Sequence, residues 1–565
     1  MDSAAISTDD PNVLVGIADE LLAYGGQHRV LLRPLYEDEE GVFPHFADSA
    51  EGYELIDPDG RSFIDWVNGW GPVLLGYRHP AVEEAIKTQL AAGPTLSLMH
   101  RVELEVASML TEMVPCAEMV AFGKNGSDAL TAAIRVCRAA TQHEVILQHG
   151  FHGFHDWYTC QHPDAQGIPA VLRPLVQPFP YNDLEALEQL FARFDGRVAA
   201  VVMEPVNTHL PEPGYLEGVK EMAHEHGSLL VFDEMVTGFR LANGGAQELF
   251  GVVPDLACFG KALANGMPLS AVVGNREHMQ YLPRTAYGMT FRGETLSLAA
   301  ARAVLTVLQT EPVTDHLARV GAEIRQRFHE ACDREGVRCR LIGPDARLTF
   351  AFSDDGGVPL EDLRTLFLRE CARGGVISNG NLLPSYAHDA DAIERTAEAF
   401  SAALRIVSGL VRAGDVAIGK AMQAAFAPAE NGESSTSDGG SSDLPGAFVE
   451  LVREEGENLS VVGWVLFEDG PPDAVELVTR CGEVLPAERM ERPDLAASFP
   501  GLAGAQQGGY VAVVPMRPFE ATDSLEFTIR ARRGVDGRFE CQISRRRNRG
   551  DVRPPVCLAG AVLQL

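Results

Sequence analysis

The sequence predicts an α/β unit built on a mostly parallel central sheet, followed by an all-β, sandwich-like domain. Three observations carry this. β-like runs at 197–203, 228–232 and 257–259 alternate with helical patterns such as 184–191, the mark of βαβ units. Residues 427–443 are rich in Gly, Ser and acidic side chains that bury too little surface to order themselves, and read as a flexible linker. Beyond them, runs at 447–452, 459–467, 510–514, 525–529 and 539–543 are short, alternating and separated by Gly, Pro and Asp, as strands of a sandwich are.

The bulk numbers exclude several function classes. At 565 residues the chain is long enough for more than one folding unit, and 46% hydrophobic content supports a sizeable core. Lys+Arg 47 against Asp+Glu 79 gives a net charge of −32, which argues against nucleic acid or an anionic membrane as principal partner. A saline habitat and a drift toward arginine on a solvated surface both account for that acidity. Ten cysteines occur without a CxxC pair, several inside apolar runs such as 132–137, so they read as buried small hydrophobes in a reducing cytoplasm. No leader pattern opens the sequence, and no apolar run approaches the ~20 residues that span a bilayer, so the expectation is a cytoplasmic protein without a membrane partner.

Only five lysines are present, and one of them, Lys261, follows the apolar stretch Leu256-Ala257-Cys258-Phe259 and a glycine. Lysine alone among the cationic side chains can lose its proton and condense with a carbonyl as a Schiff base. The strand at 228–232 delivers Asp233 at its C-terminal end, the edge where open α/β sheets place ligands. An acid and a lysine on neighbouring strand ends form a pyridoxal phosphate pattern: Lys261 as the covalent anchor and general acid/base, Asp233 as partner of the pyridine nitrogen. A phosphate cradle is at hand where Lys124-Asn125-Gly126-Ser127-Asp128 runs into a helical pattern, a small-residue turn with amides at a helix N-terminus. Lys124 is the rival lysine, while Lys87, Lys220 and Lys420 read as exposed. Taken singly, each residue has a plainer reading as cap, core or solvated charge; the ordered set points to the cofactor.

These segments, with Phe151-His152-Gly153, Glu204-Pro205 and Asp233 to Arg240, resemble the class III pyridoxal-phosphate-dependent aminotransferases, in particular the glutamate-1-semialdehyde aminomutase branch, over roughly residues 20–415. The resemblance implies the type I fold of pyridoxal-phosphate transferases, with residues 1–70 joining the small domain, 71–320 the large cofactor domain and 321–426 the rest of the small domain; composition and strand pattern then mark 427–443 as the linker and 444–565 as the accessory domain. It implies Asn125, Gly126 and Ser127 as the phosphate loop, Phe151 stacked on the ring with His152 beside it, and Val236 on the opposite face. Thr290 would reach the phosphate of a neighbouring subunit, making a homodimer with interfacial sites, and Trp70 and Glu204 fall on the substrate side.

Departures lie on that substrate side. The branch's carboxylate-binding arginine corresponds to Arg33 only with a shift, an acidic position becomes His388, and the Ser-Gly-Asn-Pro motif becomes Arg292-Gly293-Glu294-Thr295. They favour an intermolecular aminotransferase taking a small amino donor and carbonyl acceptor, with glutamate-1-semialdehyde 2,1-aminomutase as the alternative and a regulatory pseudoenzyme as a third reading. The Lys124–Asp128 and Gly293-Glu294-Thr295 patterns resemble relatives tied to surface-polysaccharide assembly. For the C-terminal domain, a glycan- or protein-binding module stands against a structural spacer, and the basic run Arg545-Arg546-Arg547-Asn548-Arg549 is an anion contact or a solvated loop.

Overall fold

The computed structural model describes residues 11–23, 42–162, 165–353 and 360–413, and eight tail strands spanning 446–455, 458–466, 474–479, 484–486, 488–490, 509–515, 524–533 and 537–546. The chain divides into two compact units, Met1–Glu430 and Asn431–Leu565. The segment read as a linker, 427–443, lies outside the described residues, as does Arg33.

Seven strands form the central sheet of the first unit: β1 Met119–Gly123, β2 Val145–His149, β3 Val176–Pro178, β4 Val198–Met203, β5 Leu229–Asp233, β6 Leu256–Phe259 and β7 Ser270–Gly274. Their order is β1-β7-β6-β5-β4-β2-β3. β7 runs antiparallel to both neighbours and every other pair is parallel. Strands β4 and β5 are buried along their whole length. Val201, Met203, Leu230 and Phe232 enter one core, and Ala200, Val202, Leu229 and Val231 the other. A sheet covered on both faces needs such unbroken apolar runs, which is why they are visible in the sequence.

A third core belongs to the smaller domain. Helices Val313–Glu335, Leu360–Arg373 and Ala390–Ala413 accompany the strands Cys339–Ile342, Leu348–Phe352 and Asn381–Leu382. Phe328, Phe350, Phe367 and Phe400 pack mostly edge-on, with ring centroids 5.0–5.8 Å apart, the geometry the ring quadrupole favours. The strand Ser62–Asp65 pairs in parallel with Val376–Ile377, with Ile64 opposite Val376, and so ties the N-terminal region to the C-terminal part of this unit.

The tail strands form two four-stranded antiparallel sheets. Four of the five runs read from the sequence lie within strands and the fifth, 459–467, overlaps the strand Asn458–Leu466, but Ala474–Thr479, Val484–Pro486 and Glu488–Met490 were missed. The last two are three residues each, too short to show an alternation. No helix among the described residues is long and apolar enough to cross a membrane.

Candidate active site

Sheet register assembles the site. Met203 lies opposite Phe232, so Glu204, the next residue after β4, emerges beside Asp233 at the end of β5; Asp233 in turn pairs with Cys258 of β6, one residue before Phe259. Gly260 and Lys261 follow directly, and Gly150, Phe151 and His152 leave the same edge after β2. Parallel strands all present their carboxyl ends there, so residues as far apart in sequence as Gly150 and Lys261 converge about one sheet edge.

Lys261 opens a one-turn helix, Lys261–Ala264, with φ of 42°. No hydrogen bond to its amine occurs among the described residues. Burial pushes the Lys261 pKa below its ordinary value; Asp233 and Glu204 oppose that shift, and the Arg347 and Arg240 guanidiniums reinforce it. The amine therefore stays neutral over a wider pH range than a surface lysine would. Asp233 is buried, with Oδ2 2.8 Å from His152 Nδ1 and Oδ1 accepting the Met235 amide at 3.1 Å. An ionised carboxylate only accepts, so His152 Nδ1 carries the proton in that bond. His152 is wholly enclosed, near-parallel to Trp157 with centroids 6.2 Å apart, and its Nε2 has no partner among the described residues.

The phosphate turn caps the helix Gly126–Thr141. Asn125 is the N-cap: its side chain accepts the Asp128 amide at 3.1 Å, and Asp128 Oδ2 accepts the amides of Asn125 at 3.0 Å and Lys124 at 3.1 Å. The Asp128 carboxylate is thus spent on the turn itself. The amides of Gly126 and Ser127 stay open among the described residues, and the Ser127 hydroxyl accepts the Phe154 amide at 3.1 Å. A Cβ on Gly153, whose φ is +90°, would lie 2.1 Å from Ser127 Oγ, and a Cβ on Gly260 would lie 2.7 Å from Met235 Sδ. Glycine is required where backbone closes on the cradle this tightly.

Lys124, the rival lysine, is committed elsewhere. Its amine donates to Glu294 at 2.9 Å, Pro268 O at 3.0 Å and Ser297 Oγ at 3.3 Å. The two unusual sequence positions therefore explain each other: Glu294 caps the helix Thr295–Thr310 and takes the Lys124 charge, at 15% and 17% side-chain exposure. Burial raises the Glu294 pKa, but the bonds from Lys124, Ser297 and the Leu296 amide outweigh it and leave it lowered. Lys87 is exposed and pairs with Glu83, Lys220 is half-buried rather than exposed, and Lys420 lies outside the described residues.

Of the remaining expected residues, Glu204 is buried, hydrogen-bonded by Asn207 Nδ2, and held above the usual carboxylate range chiefly by that burial, against the Arg347 charge. Trp70 is half-buried with φ of 73°, a strained setting for a bulky side chain. It lines a cavity of about 240 Å³ with Phe43, Leu55, Phe63, Tyr77 and Ile377, and a Cβ on its neighbour Gly71 would come within 3.9 Å of Lys261 Cδ. Phe151 is 68% exposed, with its edge toward Tyr158, and Thr290 is exposed; Val236 is half-buried. His388, expected on the substrate side, is wholly enclosed: it packs on Trp66 and Tyr53 at 4.3 and 5.6 Å, and Nδ1 accepts the Ser385 amide at 3.1 Å. That geometry makes it a packing residue, because no face of the ring is open to a ligand.

The sequence reading missed the cover over this edge. Arg240, fully buried, donates to Pro384 O at 2.7 Å, Gly71 O at 3.1 Å and Ala346 O at 3.3 Å, and burial lowers its pKa to about 9. Arg347 donates to Asn207 Oδ1 at 2.8 Å and Val206 O at 3.1 Å. Arg347 belongs to no motif, so only three-dimensional placement finds it.

A neutralisable buried amine, a carboxylate fixed by a histidine, and an open pair of helix-terminal amides fit pyridoxal phosphate: Lys261, Asp233 and Gly126–Ser127 would hold its aldehyde, ring nitrogen and phosphate. Comparison with known proteins agrees. The family described as Aminotransferase class-III matches residues 35–343. The glutamate-1-semialdehyde 2,1-aminomutase of Roseiflexus castenholzii is 33% identical over 403 residues, covering 66% of this chain and 93% of that protein. The 3-aminobutyryl-CoA aminotransferase of Cloacimonas acidaminovorans is 34% identical over 353 residues, covering 61% and 84%. Among solved structures, the pyridoxal-phosphate form of the FumI protein from Sphingopyxis sp. MTA144 superposes with a TM-score of 0.67 at 29% identity, over 72% of this chain and 98% of that one. This chain belongs to the class III aminotransferases and is a pyridoxal-phosphate-dependent transaminase or aminomutase.

Proposed function

We propose that the protein is an intermolecular aminotransferase, moving an amino group between a small amino donor and a small carbonyl acceptor. The observation that carries this reading is the split between a cofactor edge that keeps its acid, histidine and lysine and a cover in which His388 is enclosed by packing and Arg347 reaches Asn207 beside Glu204. Bound at this edge, the cofactor supplies an electron sink for charge left on the carbon that bears the amino group. The chain supplies the rest. Lys261 Nζ, kept neutral by burial, is the nucleophile and afterwards takes and returns the proton at the reacting carbon. Asp233 Oδ2, held by His152, keeps a negative charge fixed where a protonated ring nitrogen would sit. Arg240 ties Gly71 and Pro384 over the edge and so limits water.

Borohydride reduction should fix pyridoxal phosphate to the native protein and leave none on Lys261→Ala. A retained adduct in that variant removes the lysine from its role. Similarity to named aminomutases supports the second reading, intramolecular transfer on glutamate-1-semialdehyde. Supplying that compound with no second amino compound separates the two, and rapid 5-aminolevulinate formation overturns the proposal.

The same proposal extends to a homodimer, supported by the exposed Phe151, Phe154, Phe291, Leu98 and Met99, and to a cytoplasmic setting, which rests on the sequence alone. It takes the tail's two sheets as a sandwich that recruits the enzyme to a glycan or protein, with surface-polysaccharide assembly as a setting that rests on sequence patterns alone. Deletion of residues 428–565 should then leave turnover on soluble substrate unchanged while partner binding is lost.

A further inference from the structure

Arg347 follows Ala346, whose carbonyl is bound by Arg240, which also binds Gly71, where an added Cβ would lie 3.9 Å from Lys261 Cδ. Among the described residues Arg347 donates to two neutral oxygens, Val206 O and Asn207 Oδ1, on the loop that leaves β4 directly after Glu204. A guanidinium carries five N–H donors in a planar fork suited to a carboxylate. Arg347 makes no ion pair among the described residues. Asn207 keeps it apart from the nearest acid: its Oδ1 accepts from Arg347 while its Nδ2 donates to Glu204. The result is a half-buried cation, aimed by a neutral amide, at the edge that carries the reactive lysine. Two other partly buried cations of this unit meet carboxylates, Lys124 with Glu294 at 2.9 Å and Arg325 with Asp345 at 3.0 Å, whereas Arg138 donates to the Glu144 carbonyl at 2.9 Å and lies away from the reactive lysine's edge.

We propose that Arg347 is the anchor for a substrate carboxylate, and that Asn207 positions its guanidinium, so that the enzyme takes an amino acid or oxo acid in preference to an uncharged amine or ketone. This rests on the aminotransferase reading and names the substrate class of the same site. The anchor lies on the strand Leu348–Phe352 side of the cleft, entering one residue before that strand begins, and is independent of Arg33.

The test uses the holoenzyme and two probes of matched shape, butyrate and butyramide, titrated by calorimetry. Native protein should bind butyrate at least about tenfold more tightly than butyramide, as a charge-assisted pair provides. Arg347→Gln should erase that preference while leaving butyramide affinity unchanged, and Arg347→Lys should restore part of it. Asn207→Ala should weaken butyrate binding by less than Arg347→Gln does. An unchanged ratio in Arg347→Gln, or no preference in the native protein, overturns the proposal, as does loss of the ratio in Arg33→Gln with Arg347→Gln unaffected. Should Arg347→Gln fail to retain cofactor, Arg347→Lys is decisive, and a ratio equal to native sinks the idea. Failure of the enzymatic reading would show separately, as native protein with no borohydride-fixed cofactor.

Discussion

The sheet edge and the cover that faces it both bury charge, yet they compensate it in opposite ways. On the edge, acids meet dedicated donors: Asp233 has His152 and the Met235 amide, and Glu234 has Thr237 with the amides of Ala246 and Gln247. Burial still raises the Glu234 pKa, which shows how costly an enclosed carboxylate is without those bonds. On the cover, Arg240 and Arg347 donate, among the described residues, to neutral oxygens. Lys261 sits between the two, its proton favoured by one wall and opposed by the other. The difference teaches a division of labour: the edge is closed on itself and fixes the cofactor, whereas the cover keeps positive charge in reserve for something that arrives.

The sharpest way to break this comparison is at Asp233. Asp233→Asn keeps shape and the option of a bond to His152 but removes the fixed charge, so turnover should fall by about 10²–10³-fold, roughly 3–4 kcal/mol in the barrier. Borohydride should still fix the cofactor on Lys261 in that variant. Near-native turnover would mean that the edge does not act through this carboxylate.

A smaller effect isolates the cradle. Gly153→Ala places a methyl 2.1 Å from Ser127 Oγ at a φ of +90°, while Gly227→Ala, at φ of +67°, meets nothing within 4 Å. Both pay for the left-handed backbone, about 1–2 kcal/mol, but only Gly153→Ala displaces the cradle, adding roughly 1–3 kcal/mol of overpacking. Thermal unfolding should rank them in that order, and pyridoxal phosphate affinity should drop in Gly153→Ala alone. Equal affinity in the two variants would detach Ser127 from phosphate binding.

How much of this was legible in the sequence follows from what each element depends on. β4, β5 and β6 were readable because burial on both faces forces uninterrupted apolar runs, and the acid and lysine at their ends were readable because strand ends are where such sheets bind. Lys124 could not be separated from Lys261 by pattern alone. Its dismissal needs Glu294, which is 170 positions away and reaches it only through the fold. Arg347 gave no signal, since an arginine before a short strand is ordinary and its meaning comes from Asn207 and Glu204 across the cleft. His388 misled for the converse reason: a histidine at a position associated with substrate carries no mark of being enclosed by Trp66 and Tyr53.

His388 also supplies the mildest test, one that separates cover from packing. Burial drives its pKa from 6.5 down to about 3; the bond from Ser385 opposes this, and His316 and Arg240 add to it. The folded protein therefore holds the ring neutral, and its contribution is complete above pH 6.5. As pH falls from 6.5 toward 3, the unfolded chain takes up a proton that the folded chain refuses, and stability is lost at up to about 1.4 kcal/mol per pH unit. His388→Asn retains an acceptor for the Ser385 amide but cannot titrate. Urea unfolding of both proteins across this window should show the variant less stable near neutrality, where ring packing is lost, and its deficit narrowing as pH drops. If His388 instead faced a solvated substrate channel, its pKa would stay near that of the unfolded chain, and the two stability curves would run parallel through the acid range.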